Sequence, residues 1–471
     1  MLKIIYSILS LMIGVSMAEA KAGEVLANNA ALQKFQSSKA EAKALGQGKS
    51  EGASIRILNE DSMQYLQVKG VKIPVISESS ALLPVGYVQL AFVGGGSIFN
   101  PPKKPLARLA ASLLNHGTKK LGNVGFANLL ESKAVGLEAS VGQSALNIEL
   151  DFLSEYEDFA YEQLGSLLAD PNLTEGAIKD LKTQLKAALL SKQSDFDYQA
   201  NRLLHKTVFA GTPLAYPSIG NKVSEIDSLS LQEIRSYLRE NLTLNRLIIV
   251  IGGNLDLESS LKKLGKTLSG LHEGKAVSIP SYKVTPSPIK TLKKDTQQAY
   301  IYFASPLDID NMYEDGYKAR VAGFILGSSG FGSRLMEEIR VKRGLAYSTY
   351  MYPSLSRIGN FFLGHIQTAL DKQDEVIELT QQIVKDFVEG GVTQEELDSA
   401  KQFIKGNQPL QEERLSQRLG AKFMNYYNGL PLDYKNEFVK QVEALDLETL
   451  NSFIASHPEI ANLSFGVVTN K

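Results

Sequence analysis

The chain has 471 residues, with 50 lysines and arginines against 51 aspartates and glutamates. That balance leaves no global basic bias of the kind that recognises nucleic acid or an anionic membrane. The absence of cysteine excludes disulfides, thiolate metal sites and a cysteine-linked lipid anchor, while 44% hydrophobic residues suffice for full cores in about two to four units of ordinary domain size.

Met1 to Ala20 carries an early cation, Lys3, an apolar run from Ile4 to Val15, and Ala18-Glu19-Ala20 before Lys21. This is the layout of a cleavable secretory signal, too short and wrongly flanked for a membrane anchor, so the mature chain is expected in a bacterial periplasm or outside the cell. Residues 21–54 are rich in Ala, Lys, Ser and Gly and read as a flexible leader. A strand is expected over Tyr87–Val93. The following Gly94-Gly95-Gly96 lacks the Lys-Ser/Thr of a phosphate cradle and reads as a mobile strand-end loop. Apolar helices follow over Ala107–Leu114 and Phe126–Val135, then a strand over Gly136–Ile148 whose alternation fails near Gly142. Thr174 is placed to cap a long helix, and Ser230-Leu-Gln-Glu233 is a capping-box pattern. A strand at Arg246–Ile251 closes this half. Pro280, Pro286 and Pro288, within Gly274–Lys290, mark a linker.

The second half repeats the first. A strand at Gln298–Phe303 leads through a loop to an apolar helix at Tyr317–Leu326, and Thr393 parallels Thr174. Ile226, Leu229, Leu231, Ile234 and Tyr237 align at one constant offset with Val442, Leu445, Leu447, Leu450 and Phe453, and a strand at Leu463–Val468 ends the copy. The expected fold class is therefore α+β: two homologous domains, each a mainly antiparallel sheet with helices packed on one face. The divisions are a signal over 1–20, a leader over 21–54, an N-terminal domain over 55–271, a linker over 272–293 and a C-terminal domain over 294–471.

The richest segment is Gly327-Ser-Ser-Gly-Phe-Gly-Ser-Arg-Leu-Met-Glu-Glu-Ile-Arg340-Val-Lys-Arg-Gly-Leu-Ala-Tyr347. A glycine-punctuated turn feeds a short helix ending at Arg340, and a strand begins near Leu345. Arg340 and Tyr347 can then be presented together beside one helix-to-strand corner, an arrangement suited to gripping a peptide carbonyl or an oxyanion. A solvated arginine and a half-buried strand tyrosine would satisfy the same spacing.

The wording of this segment resembles the C-terminal-half signature of the pitrilysin/insulinase family of zinc metallopeptidases, and the resemblance covers roughly Ile55 to Lys471. It implies that Arg340 and Tyr347 contact substrate. It also implies an inverted zinc motif, H-x-x-E-H, on the helix after the first strand. The trailing Gly117-Thr118 fixes the frame. Arg108 and Ser112 fall on the two histidine positions, and Ala111 falls on the glutamate that would activate water. Counting back from Leu204-His205 and Gly211-Thr-Pro213-Leu214, the third ligand position holds Ala188, and a second acidic position holds Leu181. Zinc needs three nitrogen, oxygen or sulfur donors and an open site for water. These residues supply neither a ligand set nor a base. Of the five histidines, His116 alone lies beside this helix, and none is paired i, i+4 around a glutamate.

Short-chain members of the family are similar to a clam of two homologous chains, one with the zinc helix and one with the Arg and Tyr. The expected function is thus an accessory, non-zinc-binding subunit of a two-chain zinc metalloendopeptidase. It carries no cofactor itself, and zinc is expected in a homologous partner bearing H-x-x-E-H. Its substrate would be a peptide or unfolded protein, with no nucleic acid and no stable membrane span. A catalytically silent peptide-binding or scaffold homologue is the alternative. An independent hydrolase is a third reading, for which no Ser-His-acid or carboxylate-pair constellation argues. The family also adds substrate as an extra antiparallel strand beside the zinc helix, where the matching segment here is Gly136–Ile148; an ordinary sheet strand accounts for that segment equally well.

Overall fold

Strand-forming β-branched and aromatic runs build two sheets. The structure, a computed structural model, describes residues 55–60, 63–330, 332–407 and 413–471. The expected signal and leader lie outside the described residues. The first sheet contains β1 (Arg56–Glu60), β2 (Met63–Val68), β3 (Val71–Ser79), β4 (Val85–Val93), β5 (Gly136–Val141), β6 (Ala145–Leu153) and β7 (Leu247–Gly253), in the order β1-β2-β3-β7-β4-β6-β5. The second contains β8 (Lys290–Lys293), β9 (Gln298–Pro306), β10 (Ala346–Ser354), β11 (Phe361–Ala369) and β12 (Ser464–Thr469), in the order β10-β11-β9-β12-β8. Each sheet has one parallel pair, β3 with β7 and β12 with β8, and is otherwise antiparallel. The order β5-β6-β4-β7-β3 matches β10-β11-β9-β12-β8 strand for strand, with the parallel pair at the same place. The two halves are therefore one α+β unit built twice, and the first adds the hairpin β1–β2.

Two compact units result. One gathers 55–187, 218–279 and 413–432, and the other gathers 188–217, 280–407 and 433–471. Each includes a helix from the opposite half of the chain. In the first unit, Leu419, Phe423 and Tyr427 of the helix Leu415–Tyr427 pack on Ile76, Ala91, Val93, Ile248 and Val250. In the second, Ala200, Leu204 and Val208 of the helix Phe196–Val208 pack on Tyr302, Ala304, Leu363 and Val468. The other face of the second sheet, with Ile301, Phe303, Phe362, Ile366 and Phe465, lies under the helices Met312–Gly323, Gln373–Gly390, Gln394–Asn407 and Leu447–Ala455. Being covered on both faces, β7 and β12 are buried along their whole lengths, with no alternation of buried and exposed residues.

Local signals explain the boundaries. Ser230 and Glu233 form the capping box, Thr174 Oγ1 accepts from Ala177 N, and Thr393 and Glu396 cap each other reciprocally. Three expectations change. The second helix runs over Gly122–Glu131, because Gly136 already belongs to a strand. The strand expected over Gly136–Ile148 is a hairpin, β5 and β6, turning where the alternation failed at Gly142. Gly94 to Gly96 form no mobile loop. They are buried, Gly94 N donates to Ser144 O at 2.7 Å, and Ser97 and Ile98 donate to Gly142 and Gln143. Any Cβ on Gly96 would enter the backbone of Gln143, so glycine is needed for close approach.

Candidate functional site

The Arg–Tyr corner is built on the second sheet. Asn311 caps the helix Met312–Gly323 through Tyr313 N and Glu314 N, and the helix widens into a π-helical turn over Phe324–Ser328. Gly327 lets this turn lie against β10, where a Cβ would sit 2.6 Å from Met351 N. Ser333 Oγ donates to Gly330 O and starts the next segment, which is π-helical over Met336–Val341. Such widened turns recur where a helix must re-aim side chains.

Arg334 anchors the segment. Its guanidinium donates to both Glu396 oxygens at 2.6 and 2.7 Å and to Gly391 O at 2.7 Å, and it lies over the Phe387 ring. Burial pushes the Glu396 carboxyl up, but the Arg334 hydrogen bond and backbone donation from Thr393 outweigh it and hold the pKa below the ordinary glutamate value. Glu338 binds Lys342 and Arg343, whose hydrogen bonds hold its pKa low as well.

Arg340 is placed differently. Its guanidinium carbon lies 4.8 Å from the centre of the Tyr347 ring, a cation–π stack. Tyr347 occupies a β-bulge: Ala346 pairs with Thr368 and Thr349 with Ile366, so β10 carries one residue more than β11 there. A bulge re-aims a side chain out of the alternation, and Tyr347 is 68% exposed. A phenol and a planar cation thus share one solvent-facing corner on the outermost strand of the sheet. Together they can donate to a carbonyl or an oxyanion.

The degenerate helix Leu106–Leu114 is positioned by its apolar face, with Leu106, Ala107, Leu109, Ala110, Leu113 and Leu114 buried. Arg108 is exposed, Ala111 is buried and Ser112 is half-buried. Ala188, on the helix Glu175–Gln193, is exposed, and Leu181 of the same helix is buried. His116 is half-buried, which lowers its pKa, and its main-chain carbonyl accepts from Asn172. Among the described residues no three His, Cys, Asp or Glu side chains converge as metal ligands. The residues that the resemblance sets at the zinc-ligand positions, Arg108, Ser112 and Ala188, do not fit a zinc ion, because they offer a permanent cation, a hydroxyl and a methyl group, and Ala111 at the base position offers only another methyl.

One polar network had no sequence signal. Asp197 Oδ1 lies 2.8 Å from His365 Nε2, and Tyr302 donates to Asp197 Oδ2 at 2.9 Å. The His365 ring lies between those of Tyr302 and Tyr350, tilted to both. Burial pushes the Asp197 carboxyl up, yet the His365 hydrogen bond and charge win and hold it below the ordinary value. The members come from a helix and three strands, so no spacing rule joins them. The network fastens the helix Phe196–Val208 to its sheet.

The comparisons agree with this architecture. A family profile described as "Peptidase M16 inactive domain" matches residues 228–404. A Helicobacter pylori protein named "Non-peptidase homolog YmxG" is 43% identical over 415 residues, covering 88% of this chain and 96% of that one. A Bacillus subtilis protein named "Uncharacterized zinc protease YmxG" is 24% identical over 300 residues, 64% of this chain and 72% of that one. Among solved structures, a Pseudomonas fluorescens peptidase M16 inactive domain has a TM-score of 0.77 at 21% identity, over 89% of this chain and 98% of that one. A Helicobacter pylori protease has a TM-score of 0.71 at 16% identity, over 88% and 100%. These two show the fold. The chain belongs to the M16 peptidase family, the pitrilysin/insulinase group, and is an inactive-type member of it.

Proposed function

We propose that the chain is the accessory, non-zinc-binding subunit of a two-chain zinc metalloendopeptidase acting outside the cytoplasm. Arg340 and Tyr347 would hold the substrate backbone or the developing oxyanion across the closed cavity. One observation carries the reading: the Arg340 guanidinium stacks 4.8 Å from the centre of a tyrosine ring that a β-bulge turns out to solvent. Exposing a large aromatic face has a cost in water, and Tyr347 contributes little to the core it leaves. A homologous partner bearing H-x-x-E-H would supply the zinc, which polarises the scissile carbonyl, and the glutamate that activates water. This chain's part is positioning and charge stabilisation.

The secretory layout of residues 1–20 supports export to the periplasm or beyond. Among the described residues no helix is long and apolar enough to cross a membrane. The second reading, a silent peptide-binding or scaffold homologue, is favoured by the name of the 43% identical relative, a non-peptidase homologue. Co-expression with an H-x-x-E-H-bearing homologue decides between them. The two chains should copurify, and the complex should cleave peptides under conditions where neither chain does so alone. A complex no more active than the zinc-bearing chain by itself would leave the scaffold reading standing.

A further inference from the structure

β5 is the outermost strand of the first sheet and lies beside the degenerate helix, where strand addition by a peptide was expected. Its register decides which of its groups face outward. Gly142 N donates to Ala145 O, and residues 136, 138 and 140 share that parity, so their main-chain groups turn toward β6. Leu137, Ala139 and Val141 therefore turn theirs to the open edge. The middle one is already satisfied. Asn115, at the end of the helix Leu106–Leu114, accepts from Ala139 N through Oδ1 at 2.6 Å and donates through Nδ2 to Ala139 O at 2.8 Å. A side-chain amide offers the same donor and acceptor as a peptide group. Asn115 thus occupies the place of one residue of an added strand, its own outer side exposed and Ala139 buried beneath it.

The other sheet shows a partial counterpart. Its outermost strand, β10, is met by the turn that follows the corresponding helix. Ser328 Oγ donates to Met351 O at 3.0 Å, and Gly327 lies so close that a Cβ would be 2.6 Å from Met351 N. An unpaired edge invites pairing with any extended chain. At each of these two edges a group from the preceding helix end meets the outermost strand.

We infer that Asn115 is a plug that closes the β5 edge, so this chain does not take a peptide as an added strand. An incoming strand cannot skip the central residue of its register, so it must displace the amide before pairing with Leu137 and Val141. This goes beyond the accessory-subunit reading and stands without it, because it concerns this chain's own edge. If both hold, the peptide that reaches Arg340 and Tyr347 is held by the other chain's sheet.

The test is residue-resolved hydrogen exchange on the full chain, for wild type, Asn115→Ala and Asn115→Ser. Serine is too short to reach both Ala139 groups and provides a second open edge should alanine loosen the helix end. The amides of Glu138 and Ser140, which face β6, report an intact sheet. The Ala139 amide should exchange roughly tenfold or more faster in both variants, reaching the rates of Leu137 and Val141. Repeating the measurement with a millimolar extended peptide of alternating valine and threonine, capped by lysines, should protect all three outward amides in the variants and none in wild type. Ala139 exchange unchanged by either substitution would overturn the inference. So would peptide protection in wild type, or protection in no form of the chain.

Discussion

Arg334 and Arg340 belong to one motif yet meet different surroundings. Arg334 is three-quarters buried and bonded to both oxygens of Glu396 and to Gly391 O, so removing it takes two charge-assisted bonds from a partly buried carboxylate and one from a carbonyl. Arg334→Ala should lower stability by about 2–3 kcal/mol, the cost typical of losing charge-assisted bonds in a partly buried pair. Tyr347 is 68% exposed, and removing its hydroxyl should change stability by less than about 0.5 kcal/mol. Denaturant titration of the two variants checks both values. A Tyr347→Phe chain as unstable as Arg334→Ala would make the tyrosine structural. The sequence could place Arg340 and Tyr347 at one corner, but it could not separate the roles of the two arginines. Glu396 lies far along the chain, and the bulge that turns Tyr347 outward depends on the register with β11.

At the scale of elements, the two covering helices set how each sheet is held. The helix Leu415–Tyr427 is pinned to the first sheet by Glu78, whose oxygens accept from Arg418 at 2.6 Å and Lys422 at 2.7 Å. Burial alone would raise the Glu78 pKa, but hydrogen bonds and charge from Lys422 and Arg418 outweigh it, and the folded pKa lies below the ordinary value. A depressed carboxylate pKa stabilises the fold above the unfolded pKa, and this contribution is lost as pH falls through the folded pKa. Glu78→Gln should therefore cost about 1–3 kcal/mol at neutral pH. The difference from wild type should shrink as pH drops below the ordinary glutamate range. Equal stability of the two at pH 7 would contradict this. The helix Phe196–Val208 approaches β12 so closely that a Cβ on Gly466 would lie 2.6 Å from Leu204 N and 2.9 Å from Ala200 O. Backbone cannot yield as a side chain can, so Gly466→Ala should lower stability by about 1–3 kcal/mol in thermal melts. Helix starts and the strands were legible because capping residues and apolar runs are local. These covering helices were not, since the sheets that receive their apolar faces lie in the opposite half of the chain.

For the whole molecule, the internal repeat was readable because the closing units align residue by residue, and the matched strand orders of the two sheets bear it out. The exchanged helices left no trace in that alignment. The family resemblance assigns Arg108, Ser112 and Ala188 to the zinc-ligand positions and Ala111 to the base position, and none of these side chains has the chemistry of the role, whatever the geometry. The purified chain should hold well under one equivalent of zinc by elemental analysis and should cleave no peptide alone. One tightly held zinc per chain would refute this.

The central claim is that Arg340 and Tyr347 act on a substrate bound at a site shared with a second chain. Its most direct test is steady-state peptide cleavage by the purified two-chain complex, with Arg340→Ala and Tyr347→Phe each assayed beside size exclusion. Losing a charge-assisted contact to a developing oxyanion removes roughly 3 kcal/mol, on the order of a hundredfold in rate. The account predicts that both variants assemble like wild type while kcat/KM falls by about that factor for Arg340→Ala and by a smaller but clear factor for Tyr347→Phe. Variants that assemble and cleave at the wild-type rate would contradict it.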